Sequence, residues 1–524
     1  MSSIVLAGLS WRTPDGTVLF HDLDLAFGLG RTGLVGRNGT GKTTLLRLIA
    51  GEIAPLAGQV TRPPVIGFLR QNPEARPDDK LADLFGARQA LAILDRAERG
   101  EASADDLAQA DWTLESRLEA ALSAVGLDVP LDVPLAALSG GQRTTAGIAA
   151  LMFGEPDALL LDEPTNHLDH PGRARVAAAL RAWTGCVIVA SHDRMLLDKM
   201  DAITELSSLG AWTYGGNYTA YRTKKASELE AAEDDLARAE RGVAEARDRA
   251  RIASERKART DRQGRRLRAS GSQSKMLMDK AKERSEGSGG TAARLRERLT
   301  ADADEALTAA RGAVEILRPL VMDVPPSGLA PGREVLRVED LTFGYDPARP
   351  VLRGQSFAIR GPERVAVEGA NGSGKSTLLA CIAGGLDPQG GSVVPLVPAA
   401  LLDQDVSLLD PGETVRDALA RLDPSASENA RRAALARFLF RGEDALRTIG
   451  SLSGGERLRA GLACTLGLSA PRQLLLLDEP GNHLDLDATE ALEAALNAYD
   501  GALIVVSHDA TFLDRIGIER RIAL

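Results

Sequence analysis

The stretch GRNGTGKTT at Gly36–Thr44 decides the fold, and a close copy of it, GANGSGKST, follows 333 residues later at Gly369–Thr377. Both stretches fit the phosphate-loop pattern, in which a glycine-rich turn runs into Gly-Lys-Ser/Thr. Short β-like runs precede each loop and an apolar helical stretch follows it, as a phosphate loop requires. The sequence therefore predicts two nucleoside-triphosphate sites in one chain.

The motifs that follow the first loop also follow the second, in the same order. His192 and His508 are 316 residues apart, and Ser139 and Ser453 are 314 apart. The first copy therefore holds about 17 to 19 extra residues, within the polar stretch of about residues 78–115. A plain loop extension explains this insertion as well as a functional element does. Alternating strands and helices in each copy predict a largely parallel α/β core.

The two phosphate loops predict how a nucleotide is held. Glycine allows the backbone N–H groups to approach and wrap the β-phosphate. Lysine neutralises β- and γ-phosphate oxygens, and the hydroxyl that follows it can ligate Mg²⁺. The predicted ATP-binding residues of the loops are Gly36, Asn38, Gly39, Gly41, Lys42, Thr43, Thr44, Gly369, Asn371, Gly372, Gly374, Lys375, Ser376 and Thr377.

The sequence LLLDEP ends a predicted buried strand in both copies. Its aspartates, Asp162 and Asp478, would hold Mg²⁺ through water, and the glutamates that follow, Glu163 and Glu479, would polarise the attacking water as general bases. Acids at a strand end can also be solvated or cap a helix. Their repetition at matched distances from the two lysines favours the catalytic interpretation.

The sequences LSGGQ at Leu138–Gln142 and LSGGE at Leu452–Glu456, here called the signatures, each open a predicted helix. A serine and glycine N–H groups at a helix N-terminus form an anion site, although the same pattern serves as an ordinary helix cap. Together with the phosphate loops, the signatures resemble the ATP-binding-cassette superfamily over nearly the whole chain. The resemblance implies an α/β fold with two P-loop ABC-type ATPase domains joined by a long α-helical hairpin linker.

In that superfamily, cassettes pair head to tail, so the signature of one caps ATP on the phosphate loop of the other. Site one would join Lys42, Thr43, Gln71, Asp162, Glu163 and His192 to Ser453, Gly454 and Gly455. Site two would join Lys375, Ser376, Gln404, Asp478, Glu479 and His508 to Ser139, Gly140 and Gly141. The resemblance thus implies ATP as substrate, Mg²⁺ as cofactor and a monomer with intramolecular pairing of its cassettes.

Three kinds of residue complete the implied sites. The histidines of the SHD motifs, His192 and His508, are expected to reach the γ-phosphate, and Gln71 and Gln404 are assigned to Mg²⁺ and catalysis. Trp11 and Tyr345 are candidates to stack on adenine. A core position for Trp11 fits the sequence equally well.

The segment between the two copies is rich in Ala, Glu, Arg and Asp. Thr219–Thr260 is predicted as one helix and Thr291–Leu317 as its return. Residues 241–300 hold 18 Lys/Arg and 8 Asp/Glu, a net charge of +10 in a chain whose net charge is −10. A basic hairpin tip suits a polyanion, whereas charge alone is also compatible with a solvated coiled-coil spacer.

Two cassettes in one chain, NHLD in both, and YGGNYTAY (Tyr214–Tyr221) entering a basic hairpin resemble the ABC-F family of ribosome-associated translational ATPases. The resemblance implies that the linker enters the tRNA exit site, where it contacts ribosomal RNA and tRNA. The RNA-contact candidates are Arg262, Arg265, Arg266, Arg268 and Lys275. The predicted domains are a first cassette at 1–218, a linker at 219–330 with its tip at about 256–290, and a second cassette at 331–524.

Composition and motifs exclude several other classes. Apolar runs stay far below the ~20 residues that span a bilayer, the N-terminus has no signal-peptide pattern, and the three cysteines form no CxxC motif. We therefore expect a cytoplasmic protein. A transporter ATPase subunit with a separate membrane partner is the alternative, but it gives no reason for the basic hairpin. Chromosome and DNA-repair ATPases need longer coiled coils or zinc hooks.

Within the ABC-F interpretation, three tasks fit the sequence equally. They are rescue of stalled elongation, ribosome assembly and protection against a peptidyl-transferase antibiotic.

Overall fold

The computed structural model describes residues 3–70, 79–166, 168–207, 210–269, 298, 301–312, 322, 324–346, 349–469, 472–482 and 484–524. Two compact units make up the chain. One contains both cassettes, at residues 1–219 and 320–524, and the other is the linker at residues 220–319.

The first cassette contains two sheets. Its strands are β1 (Ile4–Arg12), β2 (Val18–Phe27), β3 (Gly30–Val35), β4 (Ala57–Thr61), β5 (Ile66–Leu69), β6 (Ala158–Asp162), β7 (Cys186–Ala190), β8 (Ala202–Ser207) and β9 (Gly210–Gly215). In the described part of this cassette, one sheet has the order β5-β6-β7-β3-β8-β9 and is parallel except for its last pair. The other is antiparallel with the order β2-β1-β4.

The central strands of the parallel sheet are buried on both faces. Every residue of β6 (ALLLD) and β7 (CVIVA) is buried. Continuous apolar runs without alternation are typical of parallel strands covered by helices on both sides. The buried strand β6 therefore delivers its terminal Asp162 to the edge of the sheet where the phosphate loop after β3 also lies.

Four of the eight α-helices described in the first cassette are capped by a side chain. The eight helices are α1 (Lys42–Ala50), α2 (Leu81–Leu84), α3 (Arg88–Glu98), α4 (Ala104–Gln109), α5 (Leu114–Ala124), α6 (Gly140–Phe153), α7 (His170–Ala182) and α8 (Arg194–Leu197), and the capped ones are α4, α6, α7 and α8. Ser139 caps α6 in a capping box with Gln142, while Asp169 and Asp193 cap α7 and α8. Helices α3 and α4 fall within the stretch predicted as an insertion, which therefore contains packed helices.

A single long helix, α9 (Tyr218–Ala269), of 52 residues leads into the linker and forms its first part. It extends beyond the predicted end at Thr260 and is about 78 Å long at 1.5 Å per residue. Residues 301–312 are also helical. Ion pairs join the two stretches, Arg247 to Asp304 at 3.1 Å and Arg311 to Glu240 at 3.3 Å. Because the pairing runs in opposite directions along the chain, the two stretches form an antiparallel hairpin.

The second cassette repeats the plan of the first. Its strands are β10 (Glu334–Phe343), β11 (Leu352–Arg360), β12 (Arg364–Glu368), β13 (Gly390–Pro395), β14 (Ala399–Leu402), β15 (Leu474–Asp478), β16 (Ala502–Val506) and β17 (Arg520–Ala523). Its helices are α10 (Lys375–Ile382), α11 (Val415–Leu422), α12 (Glu428–Arg437), α13 (Gly454–Leu466), α14 (Leu486–Ala498) and α15 (Ala510–Arg515). Among the residues described there, the parallel sheet has the order β14-β15-β16-β12-β17 and the antiparallel sheet the order β11-β10-β13.

None of the helices that the structure describes combines the length and the apolar character that a bilayer-crossing segment needs.

The sheet core of the second cassette generates a stability prediction. Leu476 lies in the middle of β15 with 0% of its surface exposed, whereas Leu396 is 43% exposed. Leu476→Ala should lower the free energy of unfolding by about 2–5 kcal/mol, since it leaves a cavity as well as losing apolar burial. Leu396→Ala, the matched control, should change it by less than about 0.5 kcal/mol. Thermal unfolding of both variants measures the difference, and equal effects would contradict the described core.

Candidate active sites between the cassettes

The backbone of each phosphate loop requires glycine directly before the lysine. Gly41 and Gly374 have φ of +97° and +101°, in the left-handed region. A Cβ at Gly41 would lie 2.7 Å from the Phe20 ring, and a Cβ at Gly374 would lie 2.7 Å from Val351. Each loop therefore turns tightly into the N-terminus of a helix, where backbone N–H groups can bind phosphate.

Each phosphate-loop lysine is held by carbonyl groups of its own loop. The Lys42 Nζ donates to Gly36 O at 2.6 Å and to Arg37 O at 3.2 Å. The Lys375 Nζ donates to the equivalent carbonyls of Gly369 and Ala370 at 2.9 and 3.0 Å. Burial lowers the pKa of both lysines, although nearby carboxylates, first Glu163 and Glu479 respectively, oppose the shift. Both ammonium groups thus lie in a desolvated position beside the loop that would receive phosphate.

The strand-end aspartates lie beside the hydroxyl groups predicted to share Mg²⁺. Burial raises the pKa of Asp162, while the hydrogen bond from Thr43 and the charge of Lys42 oppose this. Asp478 has the same arrangement with Ser376. The Asp162 Oδ2 is buried without a hydrogen-bond partner. A hydroxyl and an unpartnered carboxylate oxygen fit a hydrated Mg²⁺, which takes few protein ligands and completes its shell with water and phosphate.

The two candidate bases share an unusual backbone conformation. Glu163 and Glu479 have φ of +50° and +48°, in the left-handed region that residues other than glycine rarely occupy. Their N–H groups donate to Ala190 O at 2.8 Å and to Val506 O at 2.9 Å, on the neighbouring strands. Such strain concentrates at functional sites. Here the chain turns sharply after the strand and directs the carboxyl group toward the adjacent histidine.

Each glutamate lies near the histidine of its SHD motif. The His192 Nε2 is 3.3 Å from the Glu163 Oε1, and the His508 Nε2 is 3.5 Å from the Glu479 Oε1. Burial raises the pKa of Glu163 to about 8 and that of Glu479 to about 7. Burial and the Lys42 charge also hold the pKa of His192 well below its usual value. The Glu163–His192 contact therefore joins a carboxyl group whose pKa is raised to an imidazole whose pKa is lowered.

The cleft of site one is lined from both cassettes and has a volume of about 680 Å³. The first cassette contributes Asn38, Gly39, Gly41, Lys42, Thr43, Thr44, Asp162, Glu163 and His192. The second cassette contributes Ser453 and Gly454 of its signature. The structure thus brings the first phosphate loop to the second signature.

Site two is formed by two clefts that share Leu168, Asn371 and Gly372. The first, of about 490 Å³, is lined by Tyr345, Asn371, Gly372, Gly374, Lys375, Ser376, Thr377, Gln404, Asp478, Glu479 and His508. The second, of about 590 Å³, carries Ser139 and Gly141 of the first signature. The shared residues bring the second phosphate loop to the first signature, so both sites are composite.

The remaining predicted site residues differ in whether they line the described clefts. Gly140 is the first residue of α6 and Gly455 the second residue of α13; neither lines the clefts described. Gln404 lines the clefts of both sites. Gln71 and Lys275 lie outside the described residues. Arg265 and Arg268 lie in α9, where the structure describes their backbone but not their side chains.

The two adenine-stacking candidates differ. Tyr345 is 73% exposed, lines site two, and has its hydroxyl 3.4 Å from Thr377 Oγ1. Trp11 packs against the buried core of the first cassette and does not line the site-one cleft. The core position is therefore the one that the structure supports for Trp11. Thr13 and Leu19 line the cleft instead.

Arg173 was not predicted as a site residue, and it lines both the site-one cleft and the Lys375 cleft of site two. Its charge is the main influence that opposes the raised pKa of Glu479. No motif contains Arg173, but an alignment of the two copies singles it out, because the equivalent residue is Thr489.

Polar contacts across the cassette interface converge on α14 and on Asp485, the residue that caps it. The Arg37 Nε lies 2.9 Å from the Asp487 Oδ2, and the Asn38 N–H donates to the Asp485 Oδ2 at 2.9 Å. Arg194 pairs with Glu493, and their side chains are only 3% and 7% exposed. The phosphate loop of the first cassette and Arg194, which follows its SHD motif, therefore both contact this one helix of the second cassette and its cap.

Comparisons with known proteins agree with this architecture. The family model described as "ABC transporter" matches residues 20–166 and 352–482. The energy-dependent translational throttle protein EttA of Mycobacterium tuberculosis (strain H37Rv) is 32% identical, over 95% of this chain and 87% of that protein. The tylosin resistance ATP-binding protein TlrC of Streptomyces fradiae is 33% identical, over 98% of this chain and 96% of that protein.

The fold also has counterparts among solved structures. A structure titled "RNase-L Inhibitor" aligns with 98% of this chain and 86% of that chain, at a TM-score of 0.59 and 20% sequence identity. Two matched cassette domains and relatives aligned over nearly the whole length settle the classification. The chain belongs to the ABC-F family and is a twin-cassette ATPase.

Proposed function

We propose that this ATPase acts in translation, where it binds the ribosome and alternates between closed and open cassette pairs as ATP binds and is hydrolysed. The observation that carries the proposal is the composite construction of both clefts. An ATP molecule held by the phosphate loop of one cassette and the signature of the other favours the closed pair, because it binds that state better. Hydrolysis removes this preference and lets the pair open.

The described residues divide the chemistry between them. Lys42 and Lys375 neutralise the β- and γ-phosphates, and the signature N–H groups with Ser453 or Ser139 bind the γ-phosphate from the other cassette. Thr43 with Asp162, and Ser376 with Asp478, would hold Mg²⁺, which would neutralise the phosphate charge that develops during transfer. Gln71 and Gln404 are proposed as further ligands.

Glu163 and Glu479 orient the attacking water and accept its proton. A pKa of about 8 or about 7 in the free protein lies near working pH, where a general base is most effective. His192 and His508 hold the γ-phosphate and the glutamate in line. The positive φ of each glutamate fixes the direction of its carboxyl group.

The linker is proposed to bind ribosomal RNA and tRNA. The net charge of +10 over residues 241–300 suits phosphate, and Arg262 and Arg266 are exposed on the described part of α9. The names of the relatives, a translational throttle and a tylosin resistance protein, support a role in translation. We expect the protein to act in the cytoplasm, where translation takes place, and to be a monomer, because one chain supplies the phosphate loop and the signature of each site.

Replacing both bases tests the catalytic assignment. Glu163→Gln with Glu479→Gln should keep Mg·ATP binding but lower turnover by about 10²–10⁴-fold, since each amide cannot accept a proton. Phosphate release and nucleotide retention measure the two properties. The matched control is Glu98→Gln with Glu443→Gln, one exposed glutamate in each cassette, which should hydrolyse ATP like wild type. Near-normal turnover in the first variant would refute the assignment.

Reversing charge on the linker tests the ribosomal role. Arg262→Glu with Arg266→Glu should weaken binding of the ATP-bound protein to ribosomes at least tenfold and reduce the salt slope by about 2, as two phosphate contacts are lost. Arg238→Glu with Arg241→Glu, exposed on the same helix, makes the same charge change outside the predicted tip. Co-sedimentation over a salt titration compares the pairs. Equal binding by the first pair and wild type would make the hairpin a spacer.

A further inference from the structure

Alignment of the two cassettes shows a charged residue that only one of them possesses. Arg173 lies four residues after Asp169 in α7, and the equivalent residue of α14 is Thr489, four residues after Asp485. The Thr489 hydroxyl donates to Asp485 O at 2.9 Å within its own helix. The first cassette therefore presents a guanidinium where the second presents a short hydroxyl that is already engaged.

The Arg173 side chain is held in place from two sides. Its Nε donates to Leu168 O at 3.2 Å, and its Nη1 lies 3.3 Å from the Asp193 Oδ2. The Arg173 and Asp193 side chains are 15% and 6% exposed. Asp193 is also fixed, because its other oxygen accepts the Leu196 N–H as the cap of α8. A long side chain held this way loses little further entropy on meeting a ligand.

Arg173 reaches the chemistry of the opposite cassette. It lines the Lys375 cleft of site two together with Ser376, Glu479 and His508. Arg173 and Glu479 line this one cleft, and the positive charge of Arg173 opposes the raised pKa of the Glu479 carboxyl group. Asp193, which holds it, adjoins His192 of site one. Arg173 thus lies between the two sites, bound to Asp193 of site one and lining the Lys375 cleft of site two.

We propose that Arg173 acts in trans at the ATP site built on Lys375, where its guanidinium stabilises the negative charge of the γ-phosphate. This rests on the proposed ATP chemistry of the clefts. Phosphoryl transfer spreads charge over the equatorial oxygens of the γ-phosphate, and an arginine supplied by another domain stabilises that charge. Arginine keeps its positive charge throughout, whereas Thr489 cannot supply one to site one. Site two is therefore the faster of the two sites.

Variants that lack one of the two general bases allow the hydrolysis at each site to be measured separately. Glu163→Gln leaves hydrolysis to site two, and Glu479→Gln leaves it to site one. In the Glu163→Gln background, Arg173→Ala should lower kcat at least tenfold with less than threefold change in KM for ATP, and Arg173→Lys should restore part of the loss. In the Glu479→Gln background, Arg173→Ala should lower kcat by a clearly smaller factor, although Arg173 contacts Asp193 beside the site-one histidine. The matched control is Arg181→Ala, an exposed arginine later in α7, which should change neither.

A second measurement distinguishes charge stabilisation from a structural role. Arg173→Ala should weaken trapping of Mg·ADP with aluminium fluoride, a mimic of the transferred phosphoryl group, at least tenfold in site two, while ATP binding stays within threefold. An equal loss in both sites, a loss in site one alone, or no loss would each overturn the proposal. If wild type hydrolyses ATP and binds ribosomes but Arg173→Ala is neutral, only this inference fails. If wild type does neither, the proposed function fails.

Discussion

The ion pair between Arg194 and Glu493 is the interaction on which the paired arrangement of the cassettes most depends. Both side chains are almost fully buried, and the second oxygen of Glu493 lies 3.1 Å from the Arg515 guanidinium. A buried charge that loses its partner costs about 3–5 kcal/mol. Replacing either residue alone therefore strands the other charge in the interface, whereas separating the cassettes breaks the pair and returns both charges to water. Because Arg37 contacts Asp487 within α14 and Asn38 contacts Asp485, the N-cap of α14, the same helix also holds the phosphate loop of site one.

The two ion pairs that join the cassettes beside site one have no equivalent at site two. The residues equivalent to Arg194 and Glu493 are Ala510 and Ala177, and those equivalent to Arg37 and Asp487 are Ala370 and Pro171. None of these four carries a charge, so neither ion pair can be repeated at site two. Two nearly identical sets of catalytic motifs are therefore embedded in an unequal interface. Site one has these two ion pairs, and the cleft of site two is lined by Arg173, whose equivalent residue at site one is Thr489. The duplicated motifs provide the chemistry, and the residues between them make the two copies different.

The sequence predicted most of what is local. The phosphate loops, the strand-end acids and the signatures are short motifs whose geometry follows from neighbouring residues, so their places on the fold followed from the pattern. Contacts that join distant parts of the chain were not predictable in this way. Arg173 and the Arg194–Glu493 pair belong to no motif, and their roles depend on how the cassettes pack. Trp11 was ambiguous for the same reason, since only packing decides between core and cleft. The positive φ of Glu163 and Glu479 also depends on the neighbouring strands, whose carbonyls bind their N–H groups.

The claim that each ATP is shared between the phosphate loop of one cassette and the signature of the other is tested most directly by vanadate photocleavage. Orthovanadate trapped with Mg·ADP occupies the γ-phosphate position, and ultraviolet light then cuts the backbone of the residues that touch it. Wild type should be cut at Ser139 and Ser453 as well as in both phosphate loops. Lys42→Ala should abolish the cut at Ser453 and keep the cut at Ser139, because Lys42 and Ser453 line one cleft. Loss of the Ser139 cut with retention of the Ser453 cut would contradict the head-to-tail arrangement.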